Sequence, residues 1–326
     1  MIEIEFNAVC TMEKAERIAA ELAERVSSET VIRCHEPLAR RTTLRVGGPA
    51  DVYVEPASEA DLAAVIRYCG ANAIPHLALG RGSNLLVRDG GIRGVVISLA
   101  HASFNRIEVD GERLRCGAGA RLKNVAVEAR RNGLCGVEFL EGIPGSVGGA
   151  LRMNAGAMGG DTFTVIESIR VMDIAGRIHE LPSKEIQVHY RCCPLLINRV
   201  GLGAVFKCTR APRAEIEQRM AKYNAKRWET QPAKPSAGCT FKNTPTIPAG
   251  RLIDELGLKG KRIGDAMVSV EHGNFIVNDG KATAHDVLEL IEFIKRKVME
   301  ERGVELDTEV EIVGEDTSAP NTARVS

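Results

Sequence analysis

Residues 234–243 read "KPSAGCTFKN", and Cys239 is the first residue in the chain whose setting points to chemistry. It follows two small residues and a glycine, where the backbone is free to turn, and precedes a polar Phe-Lys-Asn step. A packing cysteine stands inside an apolar run, as Cys69 does in "AVIRYCG", whereas a thiol on a tight polar turn is open to whatever that turn faces. A catalytic role is open to it, and an inert thiol is the plain alternative.

Two glycine-rich loops supply a second kind of chemistry. "GRGSNLLVRDGG" follows the strand-like "PHLALG". Gly80 and Gly82 let successive N–H groups point one way, with Ser83 and Asn84 able to bind phosphate oxygens or brace the turn. It is not a dinucleotide fingerprint of the GxGxxG kind, because Leu85 stands at the third glycine and an apolar strand follows. A tight strand-to-strand turn explains this loop equally well. The second loop, "GIPGSVGGALRMNAGAMGG" from 142 to 160, holds seven glycines in nineteen residues. A flexible linker would be richer in serine and charge, so this backbone packs against something flat or anionic. Together the loops suggest a dinucleotide whose pyrophosphate lies between them. The candidates are Gly80, Arg81, Gly82, Ser83, Asn84 and Leu85 from the first, and Gly145, Ser146, Gly149, Asn154, Ala155 and Gly156 from the second.

Positioning these groups takes an α+β fold. "DVYVEP", "PHLALG", "GVVISL", "RLRCGAG", "SIRVMDI" and "GAVFKCT" have the β-branched, alternating character of strands. An amphipathic helix is expected near 12–27. "SEADLAAVIRYCG" reads as a helix capped by Ser58 and stopped by Gly70, and "RLKNVAVEARRNG" turns Leu122, Val125, Ala126 and Ala129 inward and ends at Gly133. From about 213 the pattern changes to a charged helix reaching Trp228, a short helix in "AGRLIDELG", a strand at "FIVN", a long helix capped by Thr283, and a closing strand "TEVEIVG". The expected organisation is an N-terminal helical segment 1–40, a domain at 41–212, a smaller α+β domain at 213–314 and a disordered tail 315–326.

Composition narrows the partners. The 326 residues carry 43 acidic and 43 basic side chains, a balance that argues against nucleic acid. Nine cysteines without CxxC spacing or His/Cys clusters argue against both a disulfide framework and a metal site. No stretch approaches the ~20 apolar residues of a membrane span and the start lacks a basic leader, so a soluble cytoplasmic protein is expected.

Several motifs, in order, resemble one known family. "RTTLRVGGPADVYVEP", "GRGSNLLVRDGGIRGVVI", "EGIPGSVGGALRMNAGAMGG", "HYR" at 189–191, "QPAKPSAGCTFKN", "GDAMVSVEHGNFIVN" and "LDTEVEIVG" are similar to the UDP-N-acetylenolpyruvoylglucosamine reductases over about residues 40–314. The resemblance implies an FAD-binding domain of the vanillyl-alcohol oxidase (PCMH) type and a smaller substrate-binding domain, in the shorter subclass without an inserted tyrosine loop. It implies noncovalent FAD, NADPH as hydride donor, a nucleotide-sugar substrate, and reduction of an enolpyruvyl to a lactyl ether that yields UDP-N-acetylmuramate for peptidoglycan, by a protein acting as a monomer.

The same resemblance implies the catalytic set. Arg191 matches the arginine that supports charge on the substrate, a task for which a planar guanidinium suits a carboxylate; Tyr190 and Asn243 are placed at the substrate. Glu309 matches the glutamate that bonds the enol, although by alternation alone it reads as the polar face of a strand. Cys239 stands where the family usually has a serine as proton donor. A thiol, with ordinary pKa of about 8.5, is the stronger acid, so donation to carbon remains reasonable. Another FAD oxidoreductase of the same fold acting on an alcohol or hydroxy acid, or a binding protein that has lost catalysis, are the alternatives. His272 reads as structural.

Overall fold

The structure, a computed structural model, describes residues 2–317, with side chains from residue 13 onward. The chain forms two compact units. One comprises Met1–Cys34, Val52–Arg81 and Val95–Thr230; the other comprises His35–Asp51, Gly82–Gly94 and Gln231–Ser326. Both units are therefore built from chain segments distant in sequence.

The first unit has two apolar cores. In one, Leu62, Val65, Ile66 and Cys69 of helix Glu59–Ala71 pack with Ile18 and Leu22 of helix Ile2–Ala23 and with Val95 and Ile97. Strand His76–Leu79 runs parallel to Ile92–Ser98, in register from His76 with Val95 to Leu79 with Ser98. The second core lies under a five-stranded sheet in the spatial order Ile178–Pro182, Ile166–Met172, Val200–Lys207, Arg113–Gly117, Ile107–Asp110. Helix Leu122–Arg131 contributes Leu122, Val125, Ala126 and Ala129 to it, and helix Arg213–Thr230 contributes Ile216 and Met220.

The second unit has a four-stranded sheet in the order Ser236–Cys239, Phe275–Asn278, Ala266–Val268, Arg262–Ile263. Helix Ala284–Arg302 covers it. Thr283 and Asp286 exchange side-chain-to-backbone bonds at its start, and Gly303 ends it in the left-handed region at φ 64°. Val287, Leu290, Ile291, Ile294 and Val298 face a core that also holds Leu44, Val46 and Leu86.

Most expected elements are present, with shifted ends. The first helix covers Ile2–Ala23, because Ser27 gives both its N–H and its hydroxyl to Asp61, at 2.8 and 2.9 Å, and so cannot continue a helix. Glu59–Ala71 passes Gly70 by one residue. The closing strand is only Glu311–Val313. Of the tail expected to be disordered, 318–326 lie outside the described residues; before them, Glu315 donates its N–H to Gly91 O at 2.9 Å and Asp316 pairs with Arg88 at 2.7 Å. Strand Val31–Pro37 was not expected. Among the described residues no helix is long and apolar enough to cross a membrane.

Asp61, only 6% exposed, ties the first unit's helices together. Burial pushes its pKa up, but bonds from the Ser27 N–H and the Ser58, Ser27 and Thr30 hydroxyls outweigh that and hold it below the ordinary value. A depressed carboxyl pKa stabilises the fold above the unfolded-state value and ceases to do so as pH falls through the folded one. Asp61→Asn should therefore cost about 1–2 kcal/mol at neutral pH, with the gap to wild type closing below about pH 4; urea melts across this range measure it.

Candidate active site

The first glycine loop begins where strand His76–Leu79 ends. Gly80 lies over the start of the second loop: a Cβ added there would sit 3.1 Å from Ser146 Oγ and 3.8 Å from Gly149 Cα. Ser146 caps the six-residue helix Val147–Arg152 by accepting the Gly149 N–H. On its other side Ser146 forms an antiparallel bridge with Arg121, and Gly145 O accepts the Leu122 N–H at 3.1 Å. Arg81 and Arg121 thus flank the Gly80–Ser146 contact. Neither pairs with a carboxylate among the described residues. Partial desolvation, and after it the like charge of Arg121, push the Arg81 guanidinium below its ordinary pKa. A bare-backbone cradle beside two unneutralised cations fits the pyrophosphate of a flavin dinucleotide.

The remaining first-loop residues belong to the second unit. Gly82 has φ 59°, and a Cβ would lie 2.6 Å from Arg41 O, so glycine is required there by sterics and by conformation. Thr43 donates its N–H to Gly82 O at 3.1 Å and its hydroxyl to Ser236 O at 2.7 Å. Leu85 opens a strand parallel to Glu311–Val313, with Leu85 opposite Glu311. The Asn84 side chain donates to Glu309 O at 3.0 Å.

Cys239 ends strand Ser236–Cys239, which pairs with Phe275–Asn278 through a register shift between residues 236 and 239. Gly238, at φ 78°, makes this bulge possible and re-aims the following residue. Beyond it the chain is fixed by Asn274, which is 2% exposed: its Oδ1 accepts the Phe241 N–H at 2.9 Å and its Nδ2 donates to Phe241 O at 2.8 Å. The half-buried Glu309 donates its N–H to Thr240 O at 2.8 Å. The fold therefore brings two of the expected catalytic residues onto neighbouring chain segments. Asn243 accepts the Ala249 N–H at 3.1 Å through Oδ1. His272 Nδ1 accepts the Asn274 N–H at 3.1 Å; burial, then the charge of Lys259, lower its pKa, which leaves a neutral ring with a backbone task.

Arg191 belongs to the first unit. His189 and Cys192 exchange both backbone bonds, at 2.8 and 3.2 Å, so Tyr190 and Arg191 form a two-residue turn. Arg191 stands in it at φ 55°, a left-handed conformation that costs about 1–3 kcal/mol for a side chain of this kind unless its surroundings impose it. The second glycine loop imposes it. Arg152 O accepts the Cys193 N–H at 2.9 Å, Asn154 Nδ2 donates to His189 O at 3.4 Å, and Arg191 Nη2 donates to Gly156 O at 3.4 Å. Asn154 Oδ1 also accepts the Phe163 N–H at 3.1 Å, and Ala155 O accepts the Thr162 hydroxyl. Arg191 Nη1 lies 3.9 Å from Asp161 Oδ1, and its guanidinium stacks 4.9 Å over the exposed Tyr190 ring.

Comparison with known proteins decides the family. Residues 50–182 match a family model described as an FAD binding domain, and 231–313 match one described as the UDP-N-acetylenolpyruvoylglucosamine reductase C-terminal domain. A UDP-N-acetylenolpyruvoylglucosamine reductase of Clostridium novyi is 46% identical over 278 residues, covering 85% of this chain and 90% of the relative. One of Clostridium tetani is 43% identical over 297 residues, covering 90% and 96%. The crystal structure of the Thermus caldophilus reductase aligns with a TM-score of 0.76 at 42% identity, over 87% of this chain and 98% of that one. This chain belongs to the UDP-N-acetylenolpyruvoylglucosamine reductase family. The expected fold class holds: an FAD-binding domain followed by the smaller α+β domain of these reductases.

As a reductase of this family it needs more than the residues expected from its motifs. Thr43 and Asn274 hold the loop and strand that carry Asn84 and Cys239, and both lie in quoted motifs, "RTTLRVGG" and "EHGNFIVN". Arg121 carries no motif signal. Gly80→Val should fill the cradle against Ser146 and yield protein that melts as flavin-free wild type does and carries little visible flavin absorbance, whereas Gly82→Val should melt below flavin-free wild type. Full flavin content in a well-folded Gly80→Val protein would remove the cradle from the cofactor site.

Proposed function

We propose that this chain reduces the enolpyruvyl ether of UDP-N-acetylglucosamine to the lactyl ether, giving UDP-N-acetylmuramate, with Arg191, Glu309 and Cys239 as its catalytic residues. The observation that carries the reading is the Glu309–Thr240 backbone bond beside the Gly238 bulge, which sets a carboxylate and a thiol on adjacent segments at the positions matching the family's glutamate and proton donor.

FAD, which the Gly80–Ser146 cradle would hold, would when bound and reduced by NADPH supply the hydride for the terminal carbon of the enolpyruvyl group. Negative charge then develops on the substrate's carboxylate oxygens. Arg191, preset by its strained turn, meets that charge with a fixed guanidinium and needs no rearrangement at the moment of reaction. Glu309 bonds the enol and keeps it oriented. The Cys239 S–H gives its proton to the carbon next to the carboxylate, and the thiolate left behind recovers a proton from solvent. Tyr190 stacks on Arg191 and limits its rotamers; Asn243, whose amide N–H groups have no partner among the described residues, is available to the nucleotide sugar. The cradle flanked by Arg81 and Arg121 would hold the flavin pyrophosphate without a covalent link. We place the enzyme in the cytoplasm as a monomer; the described cysteines form no disulfide, in keeping with a reducing compartment.

Arg191→Ala should be reduced by NADPH at nearly the wild-type rate and reoxidised by substrate about 10²-fold more slowly or worse. A stopped-flow record impaired only in the first half-reaction would count against the assignment.

Cys239→Ser should keep substantial turnover, because a hydroxyl can donate in the same place, while Cys239→Ala should lose roughly 10²-fold or more. Iodoacetamide should inactivate the wild type, bound substrate should protect it, and the serine variant should resist. Unimpaired turnover by the alanine variant would mean that water delivers the proton.

A further inference from the structure

Asn84 lies in a glycine loop suited to phosphate, yet its amide is committed to protein. Its Nδ2 donates to Glu309 O at 3.0 Å, and its own carbonyl accepts the Glu311 N–H at 3.0 Å. Regular parallel pairing starts only at Leu85 with Glu311. At Glu309, two residues before that pairing starts, the donor to the carbonyl is the Asn84 side chain. On its opposite edge Glu309 gives its N–H to Thr240 O. The peptide groups on both sides of the Glu309 Cα are thus fixed, one by the residue after Cys239 and one by Asn84. The same loop abuts the bulge that aims the thiol: Ser83 O lies 3.8 Å from where a Cβ on Gly238 would stand.

We propose that Asn84 is a positioning residue for Glu309, setting the direction in which the carboxylate leaves the backbone, and is not held in place for the cofactor. The inference rests on the reading of Glu309 as the group that bonds the substrate's enol. Asparagine suits the task because an amide offers a donor at this reach. Aspartate is of the same size but, when ionised, only accepts, and would set a negative charge against the Glu309 carbonyl. Glutamine keeps the donor on a stem one methylene longer. Angular freedom at a carboxylate that must meet a transient charge is costly, since misplacement by about 1 Å can cost about 10²-fold in rate.

The test compares holoenzymes of Asn84→Asp, Asn84→Ala, Asn84→Gln and Glu309→Gln, each checked by thermal melt. In Asn84→Asp and Asn84→Ala, FAD affinity measured by reconstituting apoprotein and the rate of flavin reduction by NADPH should stay near wild type. Reoxidation by the enolpyruvyl substrate should slow by about tenfold or more, and amide hydrogen exchange at Glu309 and Glu311 should accelerate. Asn84→Gln should recover part of the rate. If Asn84→Ala does not fold, the aspartate variant, equal in size, decides. Weakened FAD binding with unchanged amide exchange would make Asn84 a cofactor ligand, and wild-type reoxidation in Asn84→Asp would leave it no role in positioning; either overturns the proposal. Wild-type reoxidation in Glu309→Gln overturns instead the role given to Glu309, and the role of Asn84 with it, a failure separable from the other two.

Discussion

The Thr240 carbonyl accepts the N–H of Glu309 at 2.8 Å, and the placement of the Glu309 carboxylate on a segment next to Cys239 hangs on that bond. Residues 240 and 309 are separated by the short helix Ala249–Glu255, three strands and the long helix Ala284–Arg302, so nothing local in the chain keeps their segments side by side. Four polar side chains defend the contact. Asn274 clamps both backbone groups of Phe241, Thr43 reaches Ser236 O, Asn278 reaches Leu44 O at 3.2 Å, and Asn84 closes the far edge of Glu309. Asn274 and Asn278 are bonded through both the oxygen and the nitrogen of their amides, which is what makes burying them affordable; an amide buried without a partner would cost about 1–3 kcal/mol.

The first unit solves a related problem by strain. A two-residue turn with φ > 0 ordinarily takes glycine or asparagine, and either would lose the charge. Arginine stands there because the loop at 142–160 grips both sides of the turn: Arg152 O holds Cys193, Asn154 holds His189, and Gly156 O receives the guanidinium itself. Seven glycines in that loop thereby serve two ends. Some leave backbone bare beside Gly80, and others let the loop fold closely enough to brace a side chain.

Where the sequence could be read, the signal was local. Thr283, Asp286 and the apolar positions from Val287 to Val298 define a helix within one stretch, and Ser58 with Asp61 starts another. The glycine before Cys239 announces a turn, and the structure turns there at φ 78°. Legibility ends where partners are distant. The commitment of Asn84 to residue 309 spans 225 positions and leaves no trace in its neighbours, which read as a phosphate loop. Arg191 carries no turn-forming residue beside it, so its left-handed backbone is invisible until its bracing partners are in place. Glu309 shares the alternation of a strand it does not join, because its carbonyl and N–H are taken by Asn84 and Thr240 before the ladder begins.

The second unit draws on His35–Asp51, Gly82–Gly94 and Gln231–Ser326, and Leu44, Val46 and Leu86 share its core with the final helix. On the ribosome, the first two pieces emerge long before the apolar faces they must cover exist. Until the helix Ala284–Arg302 has emerged they have no finished core to join, so this part of the molecule matures late and the nascent chain must be kept from premature association through those apolar stretches. A gene fragment beginning near Gln231 would carry Cys239 and Glu309 but neither Asn84 nor the apolar side chains that close the core, leaving a greasy surface in place of a domain.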